Sequence, residues 1–459
     1  MTNRKNNTAI RTKKSTIEGK VFELRESPLT QLSHSAHFAT IKNVFYATLL
    51  GFIVRDVIYS FVLNQKVTYG LDAIQHGFVK LPTMLMIWCI LFGLNLLTYF
   101  SFKLWSNLRM QFSTIHCTSL NWRVLALDCT FFVTFFLYFI GTLCLLPFVI
   151  RSVTFGMAAA SALCMEQIRL LMKSYAFIRV NVASLLNHKE HSDQILFRPT
   201  FEHYLYFSFA PTLIYRHEYP RTTTINWLFV IKCFFDFFAS IWIASYIFET
   251  FFLYRIHNID ISKNFWNQVL QIIMDSALPG LIQLAMLSFI FLHCWLNAFA
   301  EMLRFGDRQF YTDWWTITNF TAYFRKWNVI IGDWLHEYVY KDFRENITPN
   351  SKSISRIMVF LISAVFHEYI MTVITQHFFP LMFVILFLTG IALPYLNFKH
   401  PIINIIFLYC TGIACGTLLI FYTVEFVVNR KCSITETGVM NYLVPKIFRN
   451  ECVYEIMFK

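Results

Sequence analysis

Long apolar blocks separated by short polar stretches dominate the chain, and they predict nine membrane-spanning helices. The blocks lie near residues 43–63, 80–101, 124–150, 153–180, 227–252, 269–300, 355–378, 380–396 and 401–427. Blocks of about 20 apolar residues are long enough to cross a bilayer as helices. The eighth block is short, and prolines at 380 and 401 bound it. The pattern predicts an all-α polytopic membrane protein without internal repeats.

Three regions follow from this pattern. Residues 1–42 form a polar, basic leader with no apolar signal segment, which we expect to be disordered. Residues 43–428 form one membrane-embedded domain, and residues 429–459 form a polar tail. A basic leader stays on the cytosolic side, so nine crossings place the tail on the luminal or external side. The loops agree, because 301–353 holds seven Lys and Arg residues whereas 64–79 holds one.

The tail carries two of the 11 cysteines, Cys432 and Cys452. The predicted location of the tail is oxidising, so these two could form a disulfide, or they could remain free thiols. The other cysteines lie mostly inside apolar blocks, where cysteine packs as a small apolar residue. The spacing of cysteines and histidines predicts no metal site.

Composition excludes a soluble or a disordered protein. Hydrophobic residues make up 56% of the chain and charged residues only 14%, against roughly 25% in a typical soluble domain. The chain has a net charge of +12 but no dense run of Lys or Arg, so the charge does not predict a nucleic-acid partner. It indicates membrane topology and attraction to anionic headgroups or to a polyanionic co-substrate.

The segment 310–340 mixes aromatic and polar residues unusually densely, with 11 aromatics in 31 positions. It is too polar to span a membrane and too aromatic for an ordinary loop. Such a mixture is typical of an interfacial helix at the membrane surface. The alternative is a simple belt of aromatic anchors, which would not require Asp313, Asn328 and Asp333.

Ionisable residues inside predicted spans are candidates for function because burying them in a bilayer is costly. His367 stands out, since it lies in the middle of its apolar block and can act as a general base. A hydrogen-bonded core histidine is the alternative, and His293 is a weaker candidate on the same grounds. The other ionisable positions, several of which we expect to form local structural pairs, are Asp56, Asp128, Glu166, Arg169, Asp236, Asp275 and Glu368.

Several motifs resemble those of the membrane-bound O-acyltransferases, in the branch that holds the sterol and diacylglycerol acyltransferases. They are FYTDWW (310–315), HCWLNAFAEMLRFGDR (293–308), APTLIYRHEYPR (210–221), EQIRLLMKSYAFIRVN (166–181), YFRKWNVIIGDWL (323–335) and HEY (367–369). The resemblance extends from about residue 37 to the C-terminus. The APTLIYR block and the paired tail cysteines favour the sterol side of the branch.

The resemblance implies specific roles. His367 matches the catalytic histidine, and Asn328, which lies 39 positions earlier, matches its partner asparagine. Residues that match acyl-CoA-binding or tunnel-lining positions are Phe310, Tyr311, Asp313, Trp314, Trp315, Arg325, Trp327, Tyr340, Lys352 and Ser363. Acyl-CoA would be a co-substrate, with no permanently bound cofactor. One position departs from the family pattern, because Gly332 stands where we expect a histidine; His336, one turn later, could substitute in part.

The implied function is transfer of a long-chain acyl group from acyl-CoA to the 3β-hydroxyl of a sterol in the endoplasmic-reticulum membrane. The implied partners are acyl-CoA, a sterol that enters from the bilayer, membrane lipids and further copies of the chain in a dimer or tetramer. Acylation of another lipid alcohol, such as diacylglycerol, remains an alternative. So does a catalytically impaired sterol-binding paralogue, because of Gly332. A transporter is a weaker hypothesis, since the chain lacks repeats.

Overall fold

The computed structural model describes residues 19–63, 69–115, 122–187, 198–257, 265–318, 320–349, 351–392 and 400–431. Apart from two isolated β-bridges, the regular secondary structure of these residues is helical. The helices are α1 (Pro28–Ser33), α2 (Ala36–Leu63), α3 (Leu71–Gly77), α4 (Leu81–Ile115), α5 (Trp122–Val153), α6 (Met157–Asn187), α7 (Phe201–Phe209), α8 (Trp227–Phe248), α9 (Tyr254–His257), α10 (Phe265–Asp275), α11 (Ala277–Ser288), α12 (Leu296–Met302), α13 (Phe320–Lys326), α14 (Val329–Leu335), α15 (Lys352–Thr375), α16 (Leu381–Ala392) and α17 (Ile402–Lys431).

Short irregular turns interrupt or extend several of these helices. A π-helical turn, Glu249–Leu253, joins α8 to α9, and another, Phe289–Trp295, joins α11 to α12. Two further π-helical turns, His336–Tyr340 and Phe343–Ile347, follow α14, and a 3₁₀ turn forms at Trp314–Thr316. Turns of the π type are frequent at functional sites.

The prediction of an all-α polytopic membrane protein is confirmed. Seven helical segments in the described residues are long and apolar enough to cross a bilayer: Ala36–Tyr59, Leu81–Phe112, Trp122–Val153, Trp227–Ile256, Ala277–Met302, Lys352–Thr375 and Ile402–Asn429. The predicted count of nine is not confirmed. The two remaining predicted spans are present as helices α6 and α16 but are not among the seven.

Each of these two helices departs from a simple span for a different reason. Helix α6 has 31 residues but carries four charged side chains, at Glu166, Arg169, Lys173 and Arg179. Helix α16 is apolar but has only 12 described residues, about 18 Å of helix against the roughly 30 Å of a bilayer core. The predicted block 269–300 is also broken, at Ser276, three residues before a proline that cannot donate a hydrogen bond to Asp275.

Helices α11 and α17 pack closely against each other through glycine. A Cβ atom on Gly280 would overlap backbone atoms of Gly412 and Gly416, and one on Gly412 would overlap the Ala277 carbonyl. Gly412 and Gly416 are four residues apart, the spacing that lets membrane helices approach with backbones in contact.

The first prediction concerns this contact. We expect Gly412→Ala to destabilise the protein by about 1–3 kcal/mol, because the added methyl group cannot enter without separating two backbones. Thermal unfolding in detergent measures the effect. The matched control is Gly93→Ala in α4, where a Cβ atom would meet nothing within 4 Å. Equal unfolding temperatures for the two variants would contradict the packing described here.

Helix α15 occupies a central place in the bundle. It packs against α6, α16 and α17, and the π-helical turn His336–Tyr340 lies against it. Phe360 of α15 also fills the space beside Gly390 of α16, where no side chain would fit. His367 lies on this enclosed helix and is partly buried.

We expected the leader, residues 1–42, to be disordered, but the part of it that the structure describes is ordered. Residues 36–42 belong to α2, and residues 19–35 make defined contacts with the rest of the chain. Arg25 forms a β-bridge with Asp307, and the side chain of Ser27 is fully buried. Residues 1–18 lie outside the described part, as do Cys432, Cys452 and most of the tail.

Candidate active site

His367 lies within the spanning helix α15, roughly 22 Å along the axis from its first residue, Lys352. Its Nδ1 atom is 2.7 Å from the carbonyl oxygen of Ser363, one turn earlier. A carbonyl oxygen can only accept a hydrogen bond, so Nδ1 must carry the proton. Nε2 of the neutral ring is therefore left as a proton acceptor, which is the state that a general base requires.

The two residues after His367 anchor α15 to its neighbours. The carboxylate of Glu368 accepts hydrogen bonds from the Tyr422 hydroxyl at 3.1 Å and from the backbone N–H of Phe383 at 2.9 Å. The Tyr369 hydroxyl lies 2.9 Å from both the Leu143 carbonyl and the Gln167 side-chain oxygen. Successive residues on a helix point about 100° apart. The side chains of Glu368 and Tyr369 therefore point away from that of His367, and they hold the helix against its neighbours.

The aromatic segment 310–340 does not form the single interfacial helix that we predicted. It contains the 3₁₀ turn, α13, α14 and a π-helical turn. Two backbone hydrogen bonds fold it on itself, from Thr312 N–H to Lys326 O at 2.8 Å and from Val329 N–H to Phe310 O at 3.0 Å. A continuous helix cannot make these pairings, so the segment is a compact unit of short helices.

The FYTDWW motif contributes mainly packing to this unit. Phe310, Tyr311 and Trp314 are buried, and the Trp314 ring lies 4.7 Å from the Trp327 ring in an edge-to-face contact. Asp313 is the exposed member of the motif and accepts a hydrogen bond from Lys326 at 2.8 Å. That hydrogen bond lowers the pKa of the Asp313 carboxyl. The motif forms a buried aromatic wall with one charged residue, Asp313, at its surface.

Asn328 begins α14. Its backbone is non-helical, with φ −133° and ψ 88°, and its side-chain oxygen accepts a hydrogen bond from Ile331 N–H at 3.1 Å. This is an N-cap, which satisfies one of the unpaired N–H groups at the start of a helix. The cap fixes which way the amide faces. With the oxygen engaged, the NH₂ group remains available as a donor to a bound group.

Contacts between the compact unit and α15 bring the two predicted catalytic residues onto adjoining elements. The rings of Phe324 in α13 and Phe360 in α15 are 5.0 Å apart, edge to face. The π-helical turn that follows α14 packs on α15 as well. Within this turn the rings of His336 and Tyr340 stack at 5.4 Å, nearly parallel. Asn328 thus belongs to a compact unit that packs directly on the helix of His367.

Two predicted cationic contacts to acyl-CoA, Arg325 and Lys352, are exposed. Neither forms an ion pair with the residues that the structure describes. In contrast, Glu337 bonds to Arg216 at 3.1 Å and Lys341 at 3.0 Å. Burial would raise the pKa of the Glu337 carboxyl, but the two cations together hold it below its usual value. The cations at 325 and 352 therefore remain available to an anion.

Gly332 leaves open space within α14. A Cβ atom there would have only the Phe324 carbonyl oxygen nearby, at 4.0 Å. A side chain in place of the glycine would therefore meet no backbone obstacle at its first atom. Burial lowers the pKa of His336, one turn later, and the charge of Lys341 adds to this effect. The imidazole at 336 is thus favoured in its neutral form.

Most of the other ionisable candidates have structural partners. Asp56 pairs with Arg55 at 2.8 Å and accepts from the Tyr246 hydroxyl. Glu166 pairs with Arg169 at 2.6 Å, one turn apart, as expected. The remaining pairs of this kind are Arg109–Asp128 and Arg255–Asp275.

His293 lies in a π-helical turn, partly buried and in contact with the FYTDWW motif. Its Nδ1 atom is 2.8 Å from the Tyr311 hydroxyl and 3.4 Å from the Ser27 hydroxyl. The Asn297 amide lies 3.2 Å from the same serine. His293 therefore connects a spanning helix, the motif and the leader.

Sequence reasoning missed several residues that hold the site. Tyr422 and Gln167, which fix the HEY triplet, come from distant helices. Nothing in the local sequence marks Tyr422, and Gln167 lies in the motif 166–181 without standing out there. Arg25 and Ser27 lie in a leader that composition alone assigned to disorder. A weak signal existed for the leader, because Ser-Pro at 27–28 is typical of a helix start.

Comparison with known proteins identifies the family. The model of the membrane-bound O-acyltransferase family matches residues 73–424. Sterol O-acyltransferase 1 from Mus musculus is 34% identical over 443 residues, which cover 95% of this chain and 80% of the mouse protein. Sterol O-acyltransferase 2 from Homo sapiens is 33% identical, over 93% of this chain and 80% of the human protein. The chain therefore belongs to the membrane-bound O-acyltransferase family.

Proposed function

We propose that the protein transfers a long-chain acyl group from acyl-CoA to the 3β-hydroxyl of a sterol. The observation that carries the proposal is His367, in mid-helix with Nδ1–H held by Ser363 and Nε2 left to accept a proton. The similarity to sterol O-acyltransferases over nearly the whole chain supports a sterol as the acceptor.

The mechanism uses the two adjoining elements. Nε2 of His367 takes the proton of the sterol hydroxyl as its oxygen attacks the thioester carbonyl carbon. The Asn328 NH₂ group stabilises the developing oxyanion, which is worth about 3–4 kcal/mol in comparable sites. The carbon–sulfur bond then breaks, and the CoA thiolate recovers the proton from His367. Arg325 and Lys352 bind CoA phosphates, and the buried aromatic wall limits access of water, which would hydrolyse the thioester.

We also propose a location and an assembly for the protein. We place the protein in the endoplasmic-reticulum membrane, with a cytosolic N-terminus and a luminal C-terminus. The excess of Lys and Arg in 301–353 supports this orientation. The chain acts as a homo-oligomer, a dimer or a tetramer, and binds no cofactor permanently.

An acceptor panel tests the substrate assignment. Microsomes from cells that express the chain receive radiolabelled oleoyl-CoA with cholesterol, diacylglycerol or a fatty alcohol. We expect sterol ester above the background of cells that lack the chain. Product from diacylglycerol alone would overturn the sterol assignment and leave the acyl-transfer mechanism in place, whereas no product from any acceptor would overturn both.

The second prediction concerns Gly332. We expect Gly332→Ala to stabilise the protein by about 0.5–1 kcal/mol, because glycine weakens a helix interior and the added methyl group has room. We expect Gly332→His to fold and to retain wild-type sterol esterification, since the site is complete without this imidazole. Thermal unfolding and the microsomal assay measure the two effects. A large gain in activity with histidine would instead favour a catalytically impaired paralogue.

A further inference from the structure

Part of the leader lies as a strap across the elements that carry the candidate site. We call residues 20–30 the leader strap. The Lys20 ammonium lies 2.7 Å from the carboxylate of Asp333, next to Gly332 in α14. The Arg25 guanidinium holds Asp307 with two hydrogen bonds, at 2.7 and 2.9 Å. The strap thus contacts both the segment before the FYTDWW motif and the helix that Asn328 caps.

The contact at Arg25 is specific and largely buried. Asp307 has only 3% of its side chain exposed. The backbone joins in, because Arg25 N–H donates to Gly306 O and Arg308 N–H donates to Arg25 O, both at 3.0 Å. A planar guanidinium binds a carboxylate through two parallel hydrogen bonds, and this bidentate pairing fixes the orientation of the two groups as well as their distance.

Hydrogen bonds continue from the strap toward Asn328. Asp307 lies three residues before Phe310, whose carbonyl accepts from Val329 N–H, the residue after Asn328. In parallel, the buried Ser27 hydroxyl contacts Asn297 and His293, and His293 contacts Tyr311. Two separate routes therefore connect the strap to the unit that holds the candidate oxyanion donor.

We propose that the leader strap is a positioning element of the acyl-transfer site, with Arg25 and Ser27 as positioning residues. The inference rests on the proposed function. An oxyanion donor acts only if it is held within a fraction of an ångström of its working position, because misplacement by about 1 Å can cost 100-fold in rate. The strap holds segment 305–312, and through it the start of α14, against the bundle.

The test compares variants of the full chain, purified in nanodiscs, by kcat and KM for oleoyl-CoA. Among the residues that the structure describes, Arg25→Ala leaves the buried Asp307 carboxylate with one remaining hydrogen bond, from the Gln309 N–H at 3.3 Å. We expect kcat to fall about tenfold with KM changed less than threefold, and we expect Arg25→Lys to recover part of the loss. Ser27→Ala should lower kcat about threefold. The matched control is Arg255→Ala, which breaks an exposed ion pair with Asp275 and should leave both constants unchanged.

Hydrogen exchange provides a readout that does not depend on activity. We expect the backbone amides of Arg308 and Val329 to exchange faster in Arg25→Ala than in the wild type, and no change there in Arg255→Ala. Wild-type kcat in a folded Arg25→Ala protein, or unchanged exchange at these amides, would overturn the strap proposal. If the wild type forms no ester but exchange increases as expected, the proposed function fails and the structural coupling stands.

Discussion

Replacing His367 with alanine is expected to lower sterol ester formation by at least about 100-fold. A positioned general base typically contributes 10²–10⁴ in rate, and alanine has no group that can accept the proton. The helix should remain intact, because Glu368 and Tyr369 still bind Tyr422 and Gln167. The measurement is the initial rate with radiolabelled oleoyl-CoA and cholesterol, at equal amounts of folded protein.

A matched control exists for this substitution. His76, on α3, also places Nδ1 against the carbonyl of the residue four positions earlier, at 2.7 Å from Asp72 O, but it is exposed. We expect His76→Ala to keep wild-type activity. Activity in His367→Ala that equals the wild type would remove His367 from the mechanism.

Replacing Asn328 with aspartate is expected to lower kcat by about 100- to 1000-fold with little loss of stability. Aspartate retains the side-chain oxygen that accepts from Ile331 N–H, so the cap of α14 remains. It lacks the NH₂ group, and its negative charge opposes an oxyanion. Single-turnover rates of acyl transfer and thermal unfolding separate the chemical effect from the structural one.

Asn328→Ala serves as the companion variant. It removes both the cap and the donor, so we expect a similar loss of kcat and an additional loss of about 1 kcal/mol in stability. Ser351→Ala removes a comparable cap, at the start of α15, with no donor to an oxyanion, and controls for capping alone. Wild-type kcat in Asn328→Asp would show that the amide has only a structural role.

The spans were predictable from the sequence because a bilayer imposes a long apolar stretch on each crossing helix. The exceptions have physical causes. Helix α6 tolerates Lys173 because its ammonium group donates to the carbonyls of Phe207 and Ala210, where α7 ends. The apolar content of a block cannot predict such hydrogen-bond partners, because they come from another part of the chain.

The candidate site was predictable only in part. His367 was visible as an ionisable group inside an apolar block, whereas Asn328 came from the family resemblance alone. The compact fold of 310–340 was not visible, because backbone pairs such as Val329 N–H to Phe310 O leave no mark in the amino-acid pattern. The ion pair of Arg25 and Asp307 joins residues 282 positions apart, beyond the reach of any local rule.

The most direct test of the central claim is a mass balance on purified wild-type protein in nanodiscs. Oleoyl-CoA is supplied with and without cholesterol, and free CoA and cholesteryl oleate are quantified by mass spectrometry. The account predicts that CoA appears only when sterol is present, in a one-to-one ratio with the ester. Release of CoA without ester, at the same rate with or without sterol, would contradict it.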